Sequence, residues 1–228
     1  MGRSKQKGFT IVELLIATTV FSIIMLTALT GFLEIGRLFY KGVSATNTQT
    51  IANQVSQDIL GNFTTAGNVS GPNSGNGYTY YCIGNTRYTY DIGYEVSSSA
   101  SPNHAAPAGG NGSSGGNFGL LRDVMPGSSA CGAPCNDQVP TSCPTSTVKF
   151  NNPTELLGDK MRIDAFSVQP GSSTPNFYNL SIVIAYGDDD RLAYTTPNDP
   201  STVYCAGNSS NQFCAVSQIT TSAYRGGQ

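Results

Sequence analysis

The stretch KQKG at residues 5–8, continued by FTIVELLIATTVFSIIMLTALTGFLEIG at residues 9–36, decides how this chain is read. It joins a short basic leader, a Gly-Phe junction and a long apolar run with a single early acid, Glu13. From Leu14 to Leu33, 20 residues carry no charge, which matches the roughly 20 that a helix needs to cross a hydrocarbon core of ~30 Å. Arg3, Lys5 and Lys7 precede the span and no comparable cluster follows it. The positive-inside rule therefore places the N-terminus in the cytoplasm and the chain beyond the span outside. An ordinary single-pass anchor has no need of an acid at its membrane edge. An ionised carboxylate there is costly unless a positive partner meets it, and a neighbouring helix packed with an axial stagger supplies one in its free α-amine. Glu13 thus reads as a registry residue between subunits.

The GFTIVELL motif at residues 8–15 resembles the class III signal of type IV pilins, pseudopilins and competence pilins. The resemblance implies that a membrane aspartyl peptidase cuts after Gly8 and methylates the new amine of Phe9, and that Glu13 sets the register of assembly. Unlike a secretory signal peptide, whose apolar region precedes its cleavage site, such processing leaves the apolar run on the mature protein. The implied partners are other pilins or pseudopilins met through the N-terminal helix, the prepilin peptidase, the pilus assembly platform and the membrane. The chain would sit in the cell membrane as a single-pass protein before assembly and then in an extracellular filament. Major pilins of many species carry a glycine and a proline inside the apolar run. Here Ser22 and Thr30 stand near those places, while Gly31 weakens the helix by about 1 kcal/mol relative to alanine.

Apolar residues continue at Ile35, Leu38, Phe39 and Val43, then at Ile51, Val55, Ile59 and Phe63, in steps that keep one face apolar. The spacing predicts one helix to about Asn62, ~80 Å long at 1.5 Å per residue, whose second half lies against a sheet. The polar patch SATNTQT at 44–50 predicts a bend or local fraying. A coiled-coil dimer is the other use of such a stripe, but charged flanking positions are almost absent. After Phe63 the composition turns to TTAGNVSGPNSGNG, and short β-like runs then alternate with Gly/Ser/Asn/Pro loops. Strands are predicted at Tyr78–Ile83, Thr86–Val96, Phe118–Val124, Lys160–Gln169, Tyr178–Tyr186, Arg191–Thr195 and Val216–Tyr224, with loops at 64–77, 96–117 and 125–147. The expected fold is α+β and pilin-like, a long N-terminal helix on an antiparallel sheet. Its expected parts are a leader at 1–8, a transmembrane and filament-core helix at 9–34, an amphipathic helix packed on the head at 35–63 and a β-rich extracellular head at 64–228.

RYTYDIGYEVSS, GLLRDV, DAFSVQP, YNLSIVIAYGD and QITTSAYRG together resemble the head of J-type minor pseudopilins and equivalent minor type IV pilins. Leu121, Arg122 and Phe166 hold the places of that family's Leu-X-Arg and Ser-Phe strands. The resemblance implies a minor rather than a major subunit.

Six cysteines, Cys82, Cys131, Cys135, Cys143, Cys205 and Cys214, all fall on the outer side, where disulfides persist. Six allow 15 connectivities. Cys205 and Cys214 bracket a polar loop between strand candidates and form the favoured local pair. The spacing of Cys131, Cys135 and Cys143 lacks a paired C-x2-C knuckle, so no metal is expected. Asp188, Asp189 and Asp190 read as a hairpin turn, since a calcium site wants six or more oxygens from a spaced loop. His104 lies in a Gly/Ser-rich loop and meets no nucleophile, so no catalytic residue, enzyme activity or cofactor is expected. The sequons at Asn62, Asn68, Asn111, Asn179 and Asn208 follow from composition. The chain has 12 basic and 14 acidic residues, and loss of the three leader cations gives a formal charge of −5. The head has no Lys/Arg cluster to drive direct nucleic-acid binding. Most of the 12 tyrosines lie in strand candidates and serve packing. The function expected is that of a structural subunit, minor or tip, of a type IV pilus or related filament. The alternatives are a pseudopilin of a type II secretion or DNA-uptake competence system, and an adhesin displayed on a pilin stalk.

Overall fold

The computed structural model describes residues 9–65, 68–75, 78–93, 95–97, 105–106, 117–125, 131–132, 134–135, 148–149, 153–171, 176–188, 191–196, 202–206 and 213–224. The chain divides into two compact units, Met1–Tyr40 and Lys41–Gln228. Helix α1, Ile11–Thr65, contributes to both. It contains no proline, and it passes through SATNTQT without a break. The expected bend or fraying there is absent, and the hydroxyls are satisfied within the helix: Thr48 Oγ1 donates to Ser44 O and Thr50 Oγ1 to Thr46 O, each at 2.8 Å. Thr48 is itself fully buried.

The strands are β1 (Val69–Gly75), β2 (Tyr78–Ile83), β3 (Thr86–Tyr90), β4 (Glu95–Ser97), β5 (Ala105–Ala106), β6 (Asn117–Phe118), β7 (Leu120–Val124), β8 (Pro134–Cys135), β9 (Val148–Lys149), β10 (Thr154–Glu155), β11 (Met161–Pro170), β12 (Phe177–Tyr186), β13 (Leu192–Tyr194), β14 (Val203–Cys205) and β15 (Ala215–Tyr224). Two antiparallel sheets dominate, ordered β1-β2-β3-β7-β10 and β11-β12-β15. The α+β, pilin-like arrangement expected from the sequence is the one observed. Three details differ. The stretch 69–75, expected to be loop, forms β1 and pairs with β2 across a register shift between Ser70 and Asn73, which accommodates its Gly-Pro pair. The predicted strand Thr86–Val96 breaks at Gly93, whose φ of +79° is one that glycine adopts at no steric cost. The turn after Tyr186 joins two sheets instead of closing a hairpin, because β12 pairs with β15 and β13 with β14.

The core forms where α1 meets both sheets. Ala52, Val55, Ile59 and Phe63, spaced three or four residues apart, are buried on one stripe. Tyr81, Ile83, Tyr88, Tyr90 and Leu120 face them from the first sheet, and Ile163, Phe166, Leu180, Ile182 and Ile184 from the second. Burying each large side chain of the stripe stabilises the fold by about 1.5–3 kcal/mol. Ile35, Leu38, Phe39 and Val43 remain exposed, so the buried stripe starts at Thr48. The two sheets meet at Gly119, where an added Cβ would lie 2.3 Å from Met161 O.

A polar cluster fixes the helix on the first sheet. Tyr88 Oη donates to Asp58 Oδ2 at 2.9 Å, Asn62 Nδ2 donates to Tyr88 Oη at 2.7 Å, and Thr86 Oγ1 donates to Asn62 Oδ1 at 3.2 Å. Arg122 forms an ion pair with Asp58 Oδ1. Burial, reinforced by the Asp58 charge, pushes the Tyr88 phenol above its ordinary pKa and keeps it a donor. Tyr88→Phe should lower unfolding free energy by about 1–2 kcal/mol in urea titration, whereas Asp58→Ala, which strips two partners, should cost about 2–4 kcal/mol.

Candidate functional site

The residues singled out at the N-terminus come together at the start of α1. Thr10 and Glu13 form a capping box. Glu13 Oε2 accepts from Thr10 N and from Thr10 Oγ1, both at 2.9 Å, and Glu13 N donates to Thr10 Oγ1 at 3.3 Å. The carboxylate thereby satisfies an otherwise orphaned helix-end donor and lies at the positive end of the helix dipole. Phe9 is 77% exposed and Glu13 is exposed as well. Gly8, Arg3, Lys5 and Lys7 lie outside the described residues. Thr10 escaped the sequence reading, although its T-x-x-E spacing to Glu13 is the signal that finds it.

From Leu14 to Leu33 the helix is uncharged, and none of that span is buried. Its hydroxyls are satisfied internally. Thr18 Oγ1 donates to Leu15 O at 3.0 Å, Thr19 Oγ1 to Ile16 O at 2.8 Å, Ser22 Oγ to Thr18 O at 2.7 Å and Thr30 Oγ1 to Thr27 O at 2.9 Å. The helix runs through Ser22 and Thr30, and with their hydroxyls satisfied it is compatible with hydrocarbon, where no water satisfies a polar group. By length and composition α1 is able to cross a membrane.

A family model described as the prokaryotic N-terminal methylation motif matches residues 3–29. These residues carry the prokaryotic N-terminal methylation motif found at the start of type IV pilin-like precursors. The match contains Gly8, Phe9, Thr10 and Glu13 and ends within the apolar span. No curated protein and no solved structure matches the chain.

The head places its chemistry in buried structural positions. On the sheet face away from α1, Cys82, Arg87 and Asp123 are cross-strand neighbours on β2, β3 and β7. Arg87 and Asp123 are fully buried and paired through two bonds, Nε to Oδ1 at 2.9 Å and a terminal nitrogen to Oδ2 at 2.7 Å. The third guanidinium nitrogen donates to Gly132 O at 2.8 Å, and Cys82 is joined to the adjacent Cys131 with a Cα separation of 6.1 Å. One ion pair and one disulfide thus hold residues 131–132 over the sheet. Cys205 is bonded to Cys214 with a Cα separation of 5.7 Å, which ties β14 to the start of β15. Cys135 lies in β8. Cys143, His104, Asp189 and Asp190 lie outside the described residues. Asp188 is engaged by Lys160 Nζ at 2.9 Å and by Arg191 Nε at 3.4 Å, so its carboxylate serves the turn. Among the described residues no group of three or more His, Cys, Asp or Glu is placed to hold a metal.

Asp164 on β11 was not singled out by the sequence. It is 1% exposed, its Oδ1 accepts from Tyr194 Oη at 3.2 Å and its Oδ2 has no hydrogen-bond partner among the described residues. Burial pushes its carboxyl up to about 7, against the opposing pull of the Arg162 charge and the Tyr194 bond. The folded state therefore holds a proton that the unfolded chain releases at its lower, ordinary pKa, and stability contributed by that proton is lost as pH rises from about 4 through about 7. Asp91 is shifted the same way by burial and stays in place as an internal control. Asp164→Asn should gain stability relative to wild type by about 2–4 kcal/mol at pH 8, with a much smaller gain at pH 4, in chemical denaturation followed across that range.

Proposed function

We propose that this protein is a structural subunit, minor or tip, of a type IV pilus or related surface filament. It enters the membrane as a precursor, is cut after Gly8, is methylated on Phe9 and assembles through α1. The observation that carries the reading is the conjunction of the methylation motif with a fully unburied 20-residue apolar span that opens on a capped acid. The apolar surface needs an environment outside the chain, first lipid and then the α1 helices of neighbouring subunits. Removal of the leader frees an amine beside an exposed carboxylate whose two local bonds both fall on Oε2. The Glu13 carboxylate accepts the amine of an adjoining subunit and sets the stagger between helices. The long loop-rich head is displayed outside, and the same anchor serves a secretion pseudopilus or a DNA-uptake filament equally well.

The capping box separates two roles of Glu13. Glu13→Gln keeps the capping pattern and removes the charge, whereas Thr10→Val weakens the cap by about 1 kcal/mol and keeps the charge. Membrane insertion and head folding should survive both. The fraction recovered in sheared surface filaments, relative to the membrane fraction, should drop sharply for Glu13→Gln and much less for Thr10→Val. Equal incorporation of Glu13→Gln and wild type would remove the registry role.

A further inference from the structure

The two main sheets end on four strands, and three of them carry the features by which native proteins blunt an open edge: short length, charge, proline or a bulge. β1 contains Pro72 and a register shift between Ser70 and Asn73. β10 has two residues. β11 holds Arg162 and Asp164, ends on Pro170 and shifts register between Ile163 and Ala165. β15 has none of these. Its sequence AVSQITTSAY is free of charge, glycine and proline, and all ten residues pair with β12 without a register shift. Among the described residues no strand pairs with its other edge, and no backbone hydrogen bond outside the ladder involves residues 215–224. Val216, Gln218, Thr220, Ser222 and Tyr224 are all exposed on its outer face, while Ser217, Ile219 and Thr221, which point inward, stay half-buried for want of a neighbour.

We propose that β15 is a docking edge for a second copy of this chain, the two β15 strands pairing antiparallel about a two-fold axis at Thr220. A strand that fills this edge must itself be long, extended, uncharged and unblunted, and β15 answers that description on both sides of a two-fold. Because no residue of the strand is charged, self-pairing brings no like charges together. Centring on Thr220 keeps the outer face outward in both copies. It sets Thr220 opposite the partner's Thr220, Gln218 opposite the partner's Ser222 and Val216 opposite the partner's Tyr224. Thr–Thr and aromatic–β-branched pairs are the favourable cross-strand combinations, and a slip of two residues loses both Val–Tyr pairs. The result is one continuous six-stranded sheet running β11-β12-β15 and back through the second copy. This contact is separate from the α1 surface and does not require the filament reading.

The test uses the full chain in density-matched detergent, followed by sedimentation across a concentration series. Wild type should dimerise. Thr220→Lys and Thr220→Glu should each raise the dimer dissociation constant by about tenfold or more, because each sets like charges opposite one another, and an equimolar mixture of the two should restore dimers. Position 220 is exposed, so the fold tolerates both changes. Association through α1 alone would ignore the charge at 220. In a second arm, Thr220→Cys should give a covalent dimer on mild oxidation while Ser222→Cys should not. A wild-type chain that stays monomeric, or dimers unaffected by either charge, would overturn the proposal.

Discussion

Between Thr48 and Phe63 one stripe of α1 is the surface on which the two large sheets close. Val55, Ile59 and Phe63 are buried against Tyr81, Tyr88 and Tyr90 from one sheet and against Phe166, Leu180 and Ile182 from the other. Tyr81 and Tyr90 in turn pack against Phe166 in tilted ring contacts, with centroids 4.7 and 5.3 Å apart, so the aromatic residues bridge the sheets beneath the helix. A hydrophobic stripe alone tolerates sliding. The Asp58, Asn62, Tyr88 and Arg122 cluster does not, because its bonds join side chains at fixed positions and a slip would leave the fully buried Tyr88 without its partners. The same helix carries a second apolar surface, Leu14–Leu33, none of which is buried among the described residues. By length and composition that surface is able to cross a membrane.

The head buries several charged side chains among its strands, Arg87, Asp123, Arg162 and Asp164. Arg87 with Asp123, and Arg162 with the carbonyls of Gly93 and Gly187, are held away from water by strands distant in sequence. Such groups add little net stability over apolar replacements, but removing one partner leaves a costly buried charge. Their effect here is to pin turns: Arg87 fixes residues 131–132 beside a disulfide, and Arg162 fixes the turns at Gly93 and Gly187. With two disulfides among the described residues, the sheets hold their connecting segments in place where apolar residues are scarce.

Much of this architecture can be read in the sequence because apolar periodicity is strong along α1, β11 and β12, even though Arg162 and Asp164 on the polar face of β11 are buried too. The four-residue steps through Val55, Ile59 and Phe63 announce the packed stripe, and alternation in MRIDAFSV and YNLSIVIAY announces β11 and β12 to within a residue or two of their ends. β1 escapes because VSGPNSG has the composition of a turn, and its pairing with β2 is decided by tertiary contact. Thr48 escapes because a hydroxyl bonded to its own helix can be buried at little cost. Arg87 and Asp123 lie 36 residues apart, and Asp164 and Tyr194 lie 30 apart, so no local pattern pairs them. The site at the N-terminus is more legible, since motif, span and acid are contiguous. What the motif left out was the local cap by Thr10, a matter of helix-end hydrogen bonding and not of hydropathy.

Processing at the Gly8–Phe9 junction is the step on which the proposed assembly rests, because it converts a peptide nitrogen into the amine that Glu13 is proposed to receive and leaves the apolar helix on the mature chain. Intact-mass measurement of the protein isolated from cells that express a prepilin peptidase tests it most directly. The expected mass is that of a chain that begins at Phe9 and carries one added methyl group on the N-terminal amine. A mature protein that retains residues 1–8 would contradict it.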